Sequence, residues 1–136
     1  MHKEKIAEAI ASALNHLENS TKALADQKES AVGDAVWRAA AETEYALFLF
    51  SLSHQDESIA SSTKHSSPTK QLEVGPALTS AQDLLEEAKE SLGASNLEEA
   101  HGKTWDARGY ILKAWDLLEK KRRSASKAAA ATPPQK

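Results

Sequence analysis

The sequence predicts an all-α protein, a four-helix bundle made of two tandem antiparallel helical hairpins joined by a long flexible linker. Three observations predict it. Four segments carry apolar or small residues in alternating steps of three and four, very short breaks join them in pairs, and the second pair repeats the first at a fixed offset of 68 residues. Such spacing draws a stripe down one side of a helix, and a hairpin with one apolar side needs another to cover it.

The first helix is expected from about Lys3 to Leu24, with Ile6, Ile10, Ala13, Leu17, Ser20 and Leu24 along its seam. Asp26 with Glu29 has the spacing of a capping box, so the second helix starts after a very short loop. Its seam is Val32, Val36, Ala39, Thr43, Ala46 and Phe50. From Ser51 to Leu72 the chain turns polar and rich in Ser and Thr, with a proline, as a flexible linker does. About 20 such residues can extend to roughly 60 Å, enough to join the hairpins in either relative orientation.

Gly75-Pro76 opens the third helix, because proline is tolerated in a first turn. Val74, Leu78, Ala81, Leu85, Ala88 and Leu92 form its seam, and Gly93 is placed to end it in a left-handed conformation. Ser95 with Glu98 offers a second capping box. The fourth helix carries Leu97, Ala100, Thr104, Ala107, Ile111, Ala114 and Leu118, and is expected to end near Arg123. The division is therefore one helical domain over 1–123, with hairpin 1 at about 3–52, the linker at about 53–73 and hairpin 2 at about 74–123. Residues 124–136 are expected to form a disordered basic Ala/Pro tail.

The halves align without a gap. Ala13 matches Ala81, Leu17 matches Leu85, Leu24 matches Leu92, Ala39 matches Ala107 and Ala46 matches Ala114. Trp37 matches Trp105, two of only three tryptophans. Matching Ala and Leu is cheap between amphipathic helices, but matching Trp is not, and the pattern reads as an internal duplication. Charged and histidine positions are not repeated: Gly33 aligns with His101 and His16 with Leu84.

Composition narrows the function. The chain has 136 residues and no cysteine, which excludes disulfides, thiolate metal sites and cysteine nucleophiles. No apolar run reaches membrane-spanning length and Met1 to Glu8 lacks a signal-peptide core, so no membrane association and a cytoplasmic location are expected. Residues 1–50 carry 8 acidic and 5 basic groups, residues 73–119 carry 10 and 4, and residues 120–136 carry 6 basic groups and no acid. An acidic body repels nucleic-acid phosphates, so only the tail, through Lys120, Lys121, Arg122 and Arg123, offers an electrostatic contact to them.

Helices 2 and 4 carry more apolar residues than one seam needs. Trp37, Ala41, Phe48 and Leu52 form a second stripe on one, and Trp105, Gly109 and Leu112 on the other, with Tyr45, Tyr110 and Trp115 beside them. Trp37, Phe48, Trp105 and Trp115 are therefore the candidate partner-binding residues, for a protein partner or a second copy. The segment Tyr45 to Leu52, apolar on nearly every side, favours homodimerisation through helix 2.

No catalytic, cofactor or metal site is expected. Glu98-Glu-Ala-His101 has the Glu-x-x-His spacing of di-iron bundles, but those need a second such motif and further carboxylates. Ala100-His-Gly-Lys103 resembles the phospho-accepting histidine of phosphotransfer bundles, yet Thr104 and Trp105 replace their lysine and glycine, and His101 reads as a histidine flanking the surface. The stretch Ala35-Val-Trp-Arg-Ala-Ala-Ala-Glu-Thr-Glu-Tyr-Ala-Leu47 resembles the HEPN superfamily of helical bundles, over one helix pair. That resemblance implies a bundle that either cleaves RNA or accompanies nucleotidyltransferases. The nuclease members place a histidine four to six residues after an arginine; Arg38, Arg108 and the Arg122-Arg123 pair have none, so the resemblance implies a bundle without the nuclease motif. The expectation is a non-enzymatic helical interaction module, with self-association through the aromatic faces of helices 2 and 4 as one mode. The alternatives are a nucleic-acid-associated accessory protein using the basic C-terminal tail, or, as the resemblance implies, a HEPN-like bundle lacking the nuclease motif.

Overall fold

The computed structural model describes residues 3–53 and 73–131, with side chains described as far as Leu52 and again from Glu73 to Ser124. Four helices account for them: α1 (Lys3–Ala25), α2 (Glu29–Ser53), α3 (Val74–Gly93) and α4 (Leu97–Ala131). The protein is an all-α four-helix bundle of two hairpins. α1 packs on α2 and α3 packs on α4, and the hairpins meet through α1 with α3 and α2 with α4. Apart from Ser53 and Glu73, the linker expected at 53–73 lies outside the described residues.

The seams become the core. Ile6, Ile10, Ala13 and Leu17 of α1, Val32, Val36, Ala39 and Phe50 of α2, Leu78, Ala81 and Leu85 of α3, and Ala107, Ile111 and Ala114 of α4 are fully buried. Among them sit Thr43 and Thr104, whose hydroxyls each donate 2.8 Å back to a carbonyl one turn earlier, Ala39 and Ala100. A hydroxyl satisfied within its own helix can be buried without a partner from elsewhere.

The duplication is visible in the backbone of the two hairpin turns. Asp26, Gln27 and Lys28 donate their N–H groups to the carbonyls of Lys22, Leu24 and Ala23. Their matches 68 residues on, Ala94, Ser95 and Asn96, donate to Glu90, Leu92 and Ser91, which are the matching acceptors. Both turns are Schellman motifs, whose six-to-one bond requires a left-handed residue just after the helix. Gln27 (φ 60°) and Ser95 (φ 64°) fill that position.

Two sequence expectations shift as a result. Gly93 does not end α3 in a left-handed conformation: it is still helical, and the bond from Asn96 to Ser91 puts the left-handed residue at Ser95. Nor does Ser95 cap α4. Asn96 does, its Oδ1 accepting from the Glu99 N–H at 3.2 Å while its Nδ2 donates to Glu99 Oε2 at 3.0 Å. One residue thus closes α3 with its N–H and caps α4 with its side chain. The equivalent place before α2 is taken by Lys28 rather than Asp26.

Side-chain contacts fix the direction of packing that sequence leaves open. Along α2 and α4, Lys121 pairs with Glu29, Trp115 lies beside Trp37, Arg108 bonds Glu44 and His101 stacks on Phe50. Rising numbers on one helix meet falling numbers on the other. Lys3 of α1 likewise donates to Ser95 at the far end of α3, and a Cβ on Gly75 would meet Leu24. Every pair of neighbouring helices is antiparallel. α2 therefore ends at the opposite end of the bundle from the start of α3. At 1.5 Å per residue the 25 residues of α2 span about 37 Å, within reach of the connecting chain.

α4 runs to Ala131, past the end expected at Arg123 and into the segment expected to be disordered. The added stretch, Ser124-Ala-Ser-Lys-Ala-Ala-Ala-Ala131, contains no breaker and five alanines, the strongest helix formers, and Pro133 and Pro134 follow it. Residues 132–136 lie outside the described residues. Among the described residues no helix is long and apolar enough to cross a membrane.

Candidate association face on α2 and α4

Because α2 and α4 are neighbours, the second apolar stripe of each half comes to one side of the bundle. All five exposed large apolar residues of the described chain lie there: Trp37, Tyr45, Phe48, Trp105 and Leu112. α1 and α3 contribute none. Trp37 is 59% exposed and Phe48 57%, whereas Trp105 is 38% exposed. Trp115, the fourth expected partner-binding residue, is only partly exposed and packs against the core. Its ring supports Trp37 from beside it, with centroids 5.4 Å apart and planes tilted by 46°.

The centre of this face is an ion pair. Arg108 Nε donates 2.8 Å to Glu44 Oε1 across the α2–α4 groove, and the Arg108 guanidinium sits 5.3 Å from the centre of the Trp105 ring. Arg108, Glu44, Trp37, Ala41, Ile111 and Leu112 border a small pocket of about 140 Å³. A guanidinium over an indole keeps both groups oriented at modest cost.

The two ends of the α2–α4 seam differ, and the difference follows from a mismatch in the repeat. At one end His101 is buried and stacked on Phe50, with centroids 4.9 Å apart and planes 4° from parallel. The sequence reading of His101 as a surface histidine is thus corrected: the partner helix covers it. At the other end its match is Gly33, which has no side chain. There an open groove of about 1160 Å³ runs between Gly33 and Trp37 on α2 and Trp115 and Leu118 on α4. A Cβ on Gly33 would stand 4.0 Å from the Trp115 ring.

Most of the apolar run Tyr45 to Leu52 is covered within the bundle. Ala46, Leu47, Leu49 and Phe50 are buried, and only Tyr45 and Phe48 of its large residues remain exposed. The run is apolar nearly all round because two neighbouring helices and the core cover most of it.

The basic cluster is exposed at Lys120, Lys121, Arg122 and Arg123. Lys120 pairs with Asp116 at 3.2 Å, Lys121 with Glu29 at 2.8 Å and Arg122 with Glu119 at 2.9 Å. Three of its four charges thus have an acid within reach, which dilutes the field a polyanion would feel. Lys103 and Glu87 link α4 to α3 at 2.7 Å, and the hydrogen bond to that carboxylate holds the Lys103 ammonium above the usual lysine range. Among the described residues no three histidines, aspartates or glutamates converge to hold a metal ion.

Compared with known proteins, the chain matches no family, no curated protein and no solved structure.

Proposed function

We propose that this chain is a non-enzymatic helical module that works by presenting the α2–α4 face to another protein surface. The supporting observation is that every exposed large apolar residue of the described chain lies on those two helices. Each exposed aromatic leaves roughly 1–3 kcal/mol of burial free energy unrealised, and an interface with an apolar centre and a polar rim would recover it. A nucleic-acid role through Lys120 to Arg123 is the second reading, and the acids paired with three of those four residues make it the weaker one.

The test replaces Trp37 and Phe48 together by lysine. Both rings are more than half exposed, so helix content should hold. Phe48→Lys should change the unfolding free energy by no more than about 0.5 kcal/mol. Trp37→Lys, which gives up the contact with Trp115, should cost about 1–2 kcal/mol. Affinity capture after crosslinking, from the native source, should lose whatever protein the unaltered chain holds, a second copy included. Capture unchanged by W37K/F48K would overturn the reading, as would unfolding of the variant, which would make the two rings structural.

A further inference from the structure

We propose that the occupant of the α2–α4 face is a second copy of the chain, docked about a twofold axis that runs parallel to the helices along the α2–α4 groove. This rests on the association reading above and adds the partner and its register. Antiparallel packing sets Glu44 of α2 level with Arg108 of α4, and the contacts on either side carry the same register along both helices. In that register Phe48 stands level with Trp105, and Ala41 with Leu112.

A twofold axis parallel to the helices lays α2 of one copy over α4 of the other without changing levels. Glu44 then meets the second copy's Arg108, Phe48 meets its Trp105, and the small Ala41 meets its Leu112. Around the axis two carboxylates and two guanidiniums alternate. The competing orientation, a twofold axis across the helices at this level, lays α2 on α2 and sets Glu44 against Glu44 and Arg108 against Arg108. Like charges at the centre of an interface are strongly unfavourable, so the charges choose between the two orientations. The size also suits. Two adjacent helices, each about 10 Å wide and side by side over the roughly 37 Å of α2, give a footprint of roughly 700 Å². A stable interface buries roughly 800 Å² per partner.

Charge reversal separates contact between copies from contact within one. E44R sets a second guanidinium beside Arg108, and R108E sets a second carboxylate beside Glu44. Within each variant chain the pair repels, and so does every pair between identical copies. Between an E44R chain and an R108E chain both intermolecular pairs are of opposite sign. By sedimentation velocity the unaltered chain should run at twice its 14.7 kDa mass. Each single variant should dissociate, with a dimer Kd raised by about tenfold or more, and an equimolar mixture of the two should form a one-to-one heterodimer. Circular dichroism on each variant checks that the bundle is intact. A mixture that stays monomeric, or E44R chains that dimerise as the unaltered chain does, would overturn this docking. A strictly monomeric unaltered chain would also overturn it, while W37K/F48K capture would still decide whether the face serves another protein.

Discussion

Leu17→Ala and Leu85→Ala should each lower the unfolding free energy by about 2–5 kcal/mol, and the two losses should agree within about 1 kcal/mol. Both leucines are fully buried, they are matched across the repeat, and each faces the core from its hairpin's first helix. The loss combines the transfer of the missing side chain with the cavity left behind, and matched surroundings leave matched cavities. Against the roughly 5–15 kcal/mol that holds a domain of this kind, either change should lower the melting temperature by roughly 6–25 °C. Chemical denaturation of both variants checks this. Unequal losses would show that the halves share a sequence pattern without sharing a packing environment.

The matched pair at the ends of the α2–α4 seam should behave in the opposite way. Phe50→Ala should cost about 3–5 kcal/mol, because the ring is fully buried and one of its faces is stacked on His101. Its match is Leu118, which is only half-buried and borders the groove left open at Gly33. Leu118→Ala should cost about 1 kcal/mol, in proportion to the smaller area removed from water. The contrast, measured by the same denaturation experiment, reads how differently the two ends of the seam are filled.

The fold is legible in the sequence because its determinants are local and periodic. Steps of three and four mark the seams, and nearly every seam residue is buried; Leu24, Val74 and Leu97, near helix ends, and Leu118, beside the open groove, are only partly so. The 68-residue offset holds down to the hydrogen bonds of the turns. What periodicity misses depends on neighbours distant in sequence. Leu47, Leu49 and His101 lie off the seams and are buried by adjacent helices. The cap at Asn96 is one residue away from the expected Ser95, because a Schellman turn and a helix cap share residues there. α4 outruns its expected end because a run of charge followed by alanines reads equally as helix or tail.

The candidate site is legible as residues but not as a surface. Trp37, Phe48, Trp105 and Trp115 stand out as surplus aromatics, yet spacing does not tell which are covered. Only the packing of α2 beside α4 separates Trp115, partly buried, from the other three, and brings Arg108 to Glu44. The Gly33/His101 mismatch is visible in the alignment of the halves. Its meaning, an open groove at one end and a stacked histidine at the other, needs the antiparallel register.

That register alone puts both halves' aromatic residues on one face, and everything proposed for the face depends on it. The chain contains no cysteine, so pairs of introduced cysteines can carry spin labels without competition. Two doubly labelled chains suffice, Glu29→Cys with Lys121→Cys and Glu29→Cys with Glu98→Cys, each diluted with unlabelled chain to suppress distances between copies. Pulsed electron resonance should give the short distance for the first, whose native side chains lie 2.8 Å apart, and about 35 Å for the second, from about 23 residues of helix rise. A long distance between 29 and 121 with a short one between 29 and 98 would mean that the hairpins pack the other way round, and would contradict the account.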